Sequence, residues 1–191
     1  LANSVNPAKP EHIALLEELL DFAAGFAGGS MASASPINAV RHTAAAAAFR
    51  IALTLQERSR REAKKAENAK KAGQAAKAGG RGGSVASELA RLANHAFTTI
   101  FTFRYKESSA AIRCCSLSYL GELVGGSDDA HAVSTFQYVV LMLTDKAPEV
   151  RALALQQLTR LYRRAEHKPG MREKLSAFTV PFAETFVERA N

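Results

Sequence analysis

The sequence contains no tryptophan, and its only two cysteines are neighbours, Cys114 and Cys115. Adjacent helical positions do not face each other, so this pair is expected to form neither a disulfide nor a metal site. Buried free thiols in an intracellular protein are the expectation instead. No apolar run reaches the roughly 18–20 residues that a membrane span needs. The Ala44–Ala48 run forms helix well but is too weakly hydrophobic to anchor, so no membrane partner is expected. The chain opens at Leu1 without a signal-peptide pattern, and it reads as a piece of a longer protein.

Catalytic signatures are missing as well. The five histidines are scattered without metal-ligand spacing. Asp128-Asp129 suits the start of a helix better than a carboxylate dyad. Serine, histidine and aspartate never fall into a nucleophile motif. Gly79–Gly83 follows a lysine-rich helix instead of the strand that precedes a phosphate loop. These absences argue against an enzyme, a metal or a cofactor. No stretch alternates at period two long enough to make a strand, which leaves an all-α chain.

What is present is distributed unevenly. Across 191 residues the net charge is +7, and nine basic residues lie between Glu57 and Arg81. They are Arg58, Arg60, Arg61, Lys64, Lys65, Lys70, Lys71, Lys77 and Arg81, set against three acids, Glu57, Glu62 and Glu67. Clustered cations of this kind can track DNA phosphates without reading bases, because binding releases counterions. The plainer reading is a solvated helix that binds nothing. Arg104 and Lys106 could extend a basic path, although as isolated positions they suit contacts between repeats better.

A short phrase recurs three times. Val40-Arg41, Ile112-Arg113 and Val150-Arg151 each open an apolar helical stretch. Glu107 and Asp145 stand six positions before Arg113 and Arg151, and Ser35 occupies that slot before Arg41. Arg151 follows Arg113 by 38 positions, close to the period of about 40–47 residues in helix-pair repeats. A carboxylate in the turn between two helices can accept charge-assisted bonds from the arginine of its own or a neighbouring repeat. The phrase therefore predicts a ladder of Arg41, Glu107, Arg113, Asp145 and Arg151. Its alternative is a set of ordinary surface ion pairs worth ~0–1 kcal/mol each.

Apolar spacing predicts helices over 11–27, about 36–71, a returning helix capped by Ser84 or Ser87, and then 108–123, 130–143, 148–165 and 171–188. The fold class expected is an α-solenoid of HEAT-like antiparallel helix pairs. A long helical hairpin projects from it, its outgoing arm solvated beyond Gln56 and its glycine-rich tip disordered at about 72–86. Three regions follow: a poorly ordered start and leading helix at 1–35, a repeat with the basic hairpin at 36–100, and compact helices at 101–189.

Several ordered motifs resemble the cohesin SA subunit (stromalin) family. They are Val40-Arg41-His42-Thr43, Phe101-Thr102-Phe103-Arg104-Tyr105-Lys106-Glu107, Ala111-Ile112-Arg113, Tyr138-Val139, Leu143-Thr144-Asp145-Lys146 and Glu149-Val150-Arg151, followed by Leu158, Leu161-Tyr162, Phe178-Thr179 and Phe182. The resemblance places the family's stromalin domain at about 101–189. It implies a nuclear, chromosome-bound module that grips the kleisin subunit of cohesin, binds double-stranded DNA without sequence preference and docks cohesion regulators. The family's peptide-docking groove maps to Tyr138, Leu141, Pro181 and Phe182. Leu141 stands where the family has tryptophan, and Pro181 where it has arginine. The family's usual aromatic, acidic peptide is therefore expected to bind poorly. The competing reading is a helical-repeat scaffold with no nucleic-acid role.

Overall fold

A computed structural model of the chain describes residues 9–27, 37–71, 75–126, 135, 137–167 and 169–183. Every regular element among them is helical, and no strand occurs among the described residues. The chain divides into two compact units, Leu1–Ile112 and Arg113–Asn191.

In the first unit, α1 (Pro10–Ala27) buries Leu16, Leu20, Ala24 and Ala27, the 3–4 spacing of one helical face. It packs against α2 (Asn38–Lys71) and touches α3 (Ala75–Ala96). Polar side-chain contacts tie α1 to α3. Arg91 donates a fork to the Glu17 carboxylate at 2.8 and 2.9 Å, and His95 Nε2 lies 2.6 Å from Asp21 Oδ1.

The second half of α2 differs from the bare stalk expected of it. Beyond Gln56, Ser59 and Ala66 are buried, and Ser59 Oγ donates to the Ala86 carbonyl of α3 at 2.7 Å. The covered seam keeps helical spacing but is built from small side chains, so a search for large apolar residues passes over it. The glycine-rich segment is also corrected. Gly79, Gly80, Gly82 and Gly83 lie inside α3, which begins at Ala75, so neither Ser84 nor Ser87 caps it. Each glycine costs a helix about 1 kcal/mol relative to alanine but does not forbid it. Ala75, Ala76, Lys77 and Ala78 are good helix formers on one flank, and the buried Leu89 and Leu92 anchor the other. Residues 72–74 of the expected tip, the start up to Ala8 and the 28–36 connection lie outside the described residues.

After α3 the helix widens into a π turn at Phe97–Phe101 and closes through α4 (Thr102–Arg104). The sequence explains the irregularity. The hydroxyls of Thr98, Thr99 and Thr102 donate back to carbonyls three or four residues earlier, a habit that bends helices. Phe97, Phe101 and Tyr105 stack with centroids 4.8 and 5.5 Å apart.

The second unit begins within α5 (Ala110–Gly126). A helical segment at 137–141 ends in a 3-10 turn at Met142–Thr144. Next come α6 (Pro148–Glu166) and α7 (Pro169–Thr179), and a last 3-10 turn spans Val180–Phe182. Pro148 opens α6 where its missing N–H costs nothing, with Glu149 in the first turn and Arg163 and Arg164 in the last, complementing the helix dipole. Val150, Ala154, Leu158 and Leu161 form its buried face, while Gln156, Arg160 and Arg163 are exposed. Arg164 Nη1 donates to the Val124 carbonyl at 2.7 Å, satisfying a helix-terminal acceptor of α5. Parts of the expected 130–143 and 171–188 helices, namely 130–134, 136 and 184–188, fall outside the described residues.

Candidate interaction surfaces

The ladder residues are where charge is most deeply held. Asp145, in the turn before α6, accepts two bonds from Arg113 of α5, Nε to Oδ2 and Nη2 to Oδ1, both at 2.7 Å. Their side chains are 5% and 11% exposed, so this is a covered bidentate pair rather than a surface one. The Ala147 amide adds a third donor at 2.8 Å. The Arg113 fork, aided by that amide, holds the Asp145 carboxyl below its usual range against the opposing effect of burial.

Arg151 does not share that carboxylate. Its Nη1 donates to the main-chain carbonyls of Asp145 and Lys146, at 2.8 and 3.1 Å. The two arginines thus divide the labour: Arg113 neutralises the acid, and Arg151 fixes the backbone of the turn that presents it. In the first unit Glu107 plays the part of Asp145. It pairs with Arg41 at 3.6 Å and with Arg104, and it accepts the Ser108 amide and hydroxyl at 3.0 Å each. Burial pushes the Glu107 carboxyl up, but Ser108, Arg104 and Arg41 together bring it below its usual range. In both units the acid six positions before one arginine is paired with the arginine of the preceding phrase, Glu107 with Arg41 and Asp145 with Arg113. Ser35, the third acid-slot residue, lies outside the described residues.

Arg104 must be withdrawn from the basic path. It is 8% exposed and paired with Glu107, and burial lowers its pKa. A guanidinium so covered does not reach a phosphate. Lys106 is exposed, its Nζ 5.2 Å from the Tyr105 ring centroid.

On α2 the candidate DNA-contacting cations are not equivalent. Arg61 pairs with Glu57, Lys65 with Glu62 at 2.8 Å, and Lys71 with Glu67 at 2.6 Å, all along the same helix. Arg58 and Arg60 are half-buried. Lys64 and Lys70 are exposed, with no ion pair among the described residues. Lys77 and Arg81 lie on α3, and their side chains are outside the described residues.

In the second unit, Tyr138 is half-buried and Leu141 is 56% exposed one turn later. Pro181 and half-buried Phe182 lie in the last 3-10 turn. Cys114 and Cys115 are free and half-buried, and burial raises both thiols. Among the described residues no group of three or more histidine, cysteine, aspartate or glutamate side chains could hold a metal. No described helix is long and apolar enough to cross a membrane.

Residues 106–183 match the family described as the stromalin conservative domain. The chain carries a stromalin domain. It opens at Lys106, just before Glu107, and contains both the Arg113–Asp145 pair and Arg151. The match covers 78 of the chain's 191 residues. No curated protein matches the chain.

Proposed function

We propose that the chain is a non-catalytic HEAT-like module of a cohesin SA subunit that binds kleisin and DNA and docks regulators of sister-chromatid cohesion on nuclear chromosomes. The observation that carries this reading is the stromalin domain over 106–183, with its acid-to-preceding-arginine pairing. The same pairing recurs across the domain's start, between Arg41 before it and Glu107 within it, as expected of stacked repeats in a solenoid. The packed arms α2 and α3 support the long hairpin of that solenoid. An apolar groove of about 560 Å³ between α1 and α2, with Phe22, Phe26 and Val40 partly exposed along it, offers kleisin a surface to cover.

A second reading, a helical scaffold with no nucleic-acid role, draws on one specific observation. Three of the α2 cations are already compensated by Glu57, Glu62 and Glu67. Duplex titration at two salt concentrations separates the readings. The cohesin reading expects binding to unrelated sequences that weakens steeply between about 50 and 200 mM salt. Absence of binding at the lower salt would favour the scaffold.

A further inference from the structure

A cavity of about 170 Å³ opens in the second unit. Gly121 and Val124 of α5 line it, with Val139 of the 137–141 segment and Gln157, Arg160, Leu161 and Arg164 of α6. Its volume suits one aliphatic side chain, since cavities of about 150 Å³ accept a benzene-sized group.

Two polar features make it more than a packing gap. Gln157 is 7% exposed and its side chain forms part of the cavity wall. A carboxamide there can both donate to and accept from a group that enters. The carboxamide lies flat against Gly121, where any Cβ would meet Oε1 at 2.0 Å. Only glycine at that position lets the amide occupy the cavity wall. Arg160 is exposed, and among the described residues no carboxylate lies in ion-pairing range of it and no acidic residue lines the cavity.

We infer that this cavity binds the free C-terminus of a polypeptide that ends in an aliphatic residue. The last side chain enters between Val124, Val139 and Leu161. The α-carboxylate meets the Arg160 guanidinium. The final peptide group, both donor and acceptor, pairs with the Gln157 carboxamide, which also offers both. A phosphate would leave the apolar walls uncovered, and a neutral hydrocarbon would leave Gln157 and Arg160 unanswered. A short free acid would lack the peptide group. Among the described residues, α5, α6 and the 137–141 segment build this site, so it stands independently of any role in cohesin.

Fluorescence anisotropy tests it with a fluorescein-labelled Gly-Ser-Gly-Ser-Ala-Leu peptide and the intact chain. The free acid should bind. Its C-terminal amide and a version ending in glycine should each bind at least about tenfold more weakly. Arg160→Glu and Gln157→Leu should each weaken the free acid by a similar factor, whereas Arg163→Glu, on the exposed side of α6, should not. Val139→Phe fills the cavity with apolar bulk and should abolish binding while helical circular dichroism is kept. Equal binding of acid and amide would overturn the inference. So would equal damage from Arg163→Glu and Arg160→Glu, or no binding by the folded chain at about 1 mM peptide.

Discussion

At the scale of single residues, the two arginines flanking Asp145 should behave differently. Arg113→Ala strands a covered carboxylate and should cost about 1.5–3 kcal/mol, the range for hydrogen bonds to charged groups. Arg151→Ala removes two bonds to carbonyls but leaves the acid paired, and should cost about 1 kcal/mol. Denaturant unfolding of both variants checks the order, and equal losses would contradict it. Glu107→Gln should be costlier still, about 3–5 kcal/mol, because it leaves Arg41 and Arg104 close together and covered. The acid limb follows from the same pairs. Both carboxyls are lowered in the fold from ordinary values of 3.8 for Asp145 and 4.5 for Glu107. The stability they add is complete above those values and is lost as pH falls through the lower, folded ones. Asp145→Asn should remove part of that acid dependence; an unchanged slope in unfolding below pH ~4 would show that the Arg113 fork contributes little. The groove expected from the resemblance at Tyr138, Leu141, Pro181 and Phe182 is also a matter of single side chains. The family's acidic aromatic peptide should bind poorly, and Leu141→Trp with Pro181→Arg should restore it. The ring would add burial at ~25 cal/mol per Å² and the guanidinium a charge-assisted bond of ~1.5–3 kcal/mol. Micromolar binding by the unaltered chain in calorimetry would show that Leu141 and Pro181 serve as well.

At the scale of elements, α2 carries the DNA question. Replacing Lys64 and Lys70 with glutamine should weaken duplex binding more than replacing Lys65 and Lys71, whose charges are already met by Glu62 and Glu67. Each phosphate that is no longer neutralised should flatten the salt slope by roughly 0.9. Equal effects from both pairs would mean that the intrahelical pairs do not hold in solution. The boundaries of α1, α2 and α6 are legible in the sequence because large apolar residues recur at helical spacing and Pro148 marks a start. The covered half of α2 is not, because Ser59, Ala66 and Ala86 bury little area and give a weak hydropathy signal. The continuity of α3 through four glycines is hidden for a related reason, since propensity alone argues against it. Within the candidate site, the acid positions are legible from their fixed offset to arginine. The partner of each is not, because choosing between the acid's own and the preceding arginine needs the packing of helices far apart in sequence. The Gly121–Gln157 contact leaves no local signal, because 36 positions separate the two residues.

At the scale of the whole molecule, the proposal is that this chain is an interaction module of cohesin, and its support is the stromalin match over 106–183 together with the Arg41–Glu107 pair that reaches back from it. Such a module works through extended surfaces, so single surface substitutions should erode binding by degrees, whereas loss of the ladder should remove fold and binding together. Co-elution with full-length kleisin from the same source tests the central claim most directly. A stable complex is predicted on size-exclusion chromatography with light scattering. It should survive Lys64→Gln with Lys70→Gln and disappear in step with unfolding of Glu107→Gln. Separate elution of kleisin and the folded chain at micromolar concentration would contradict it.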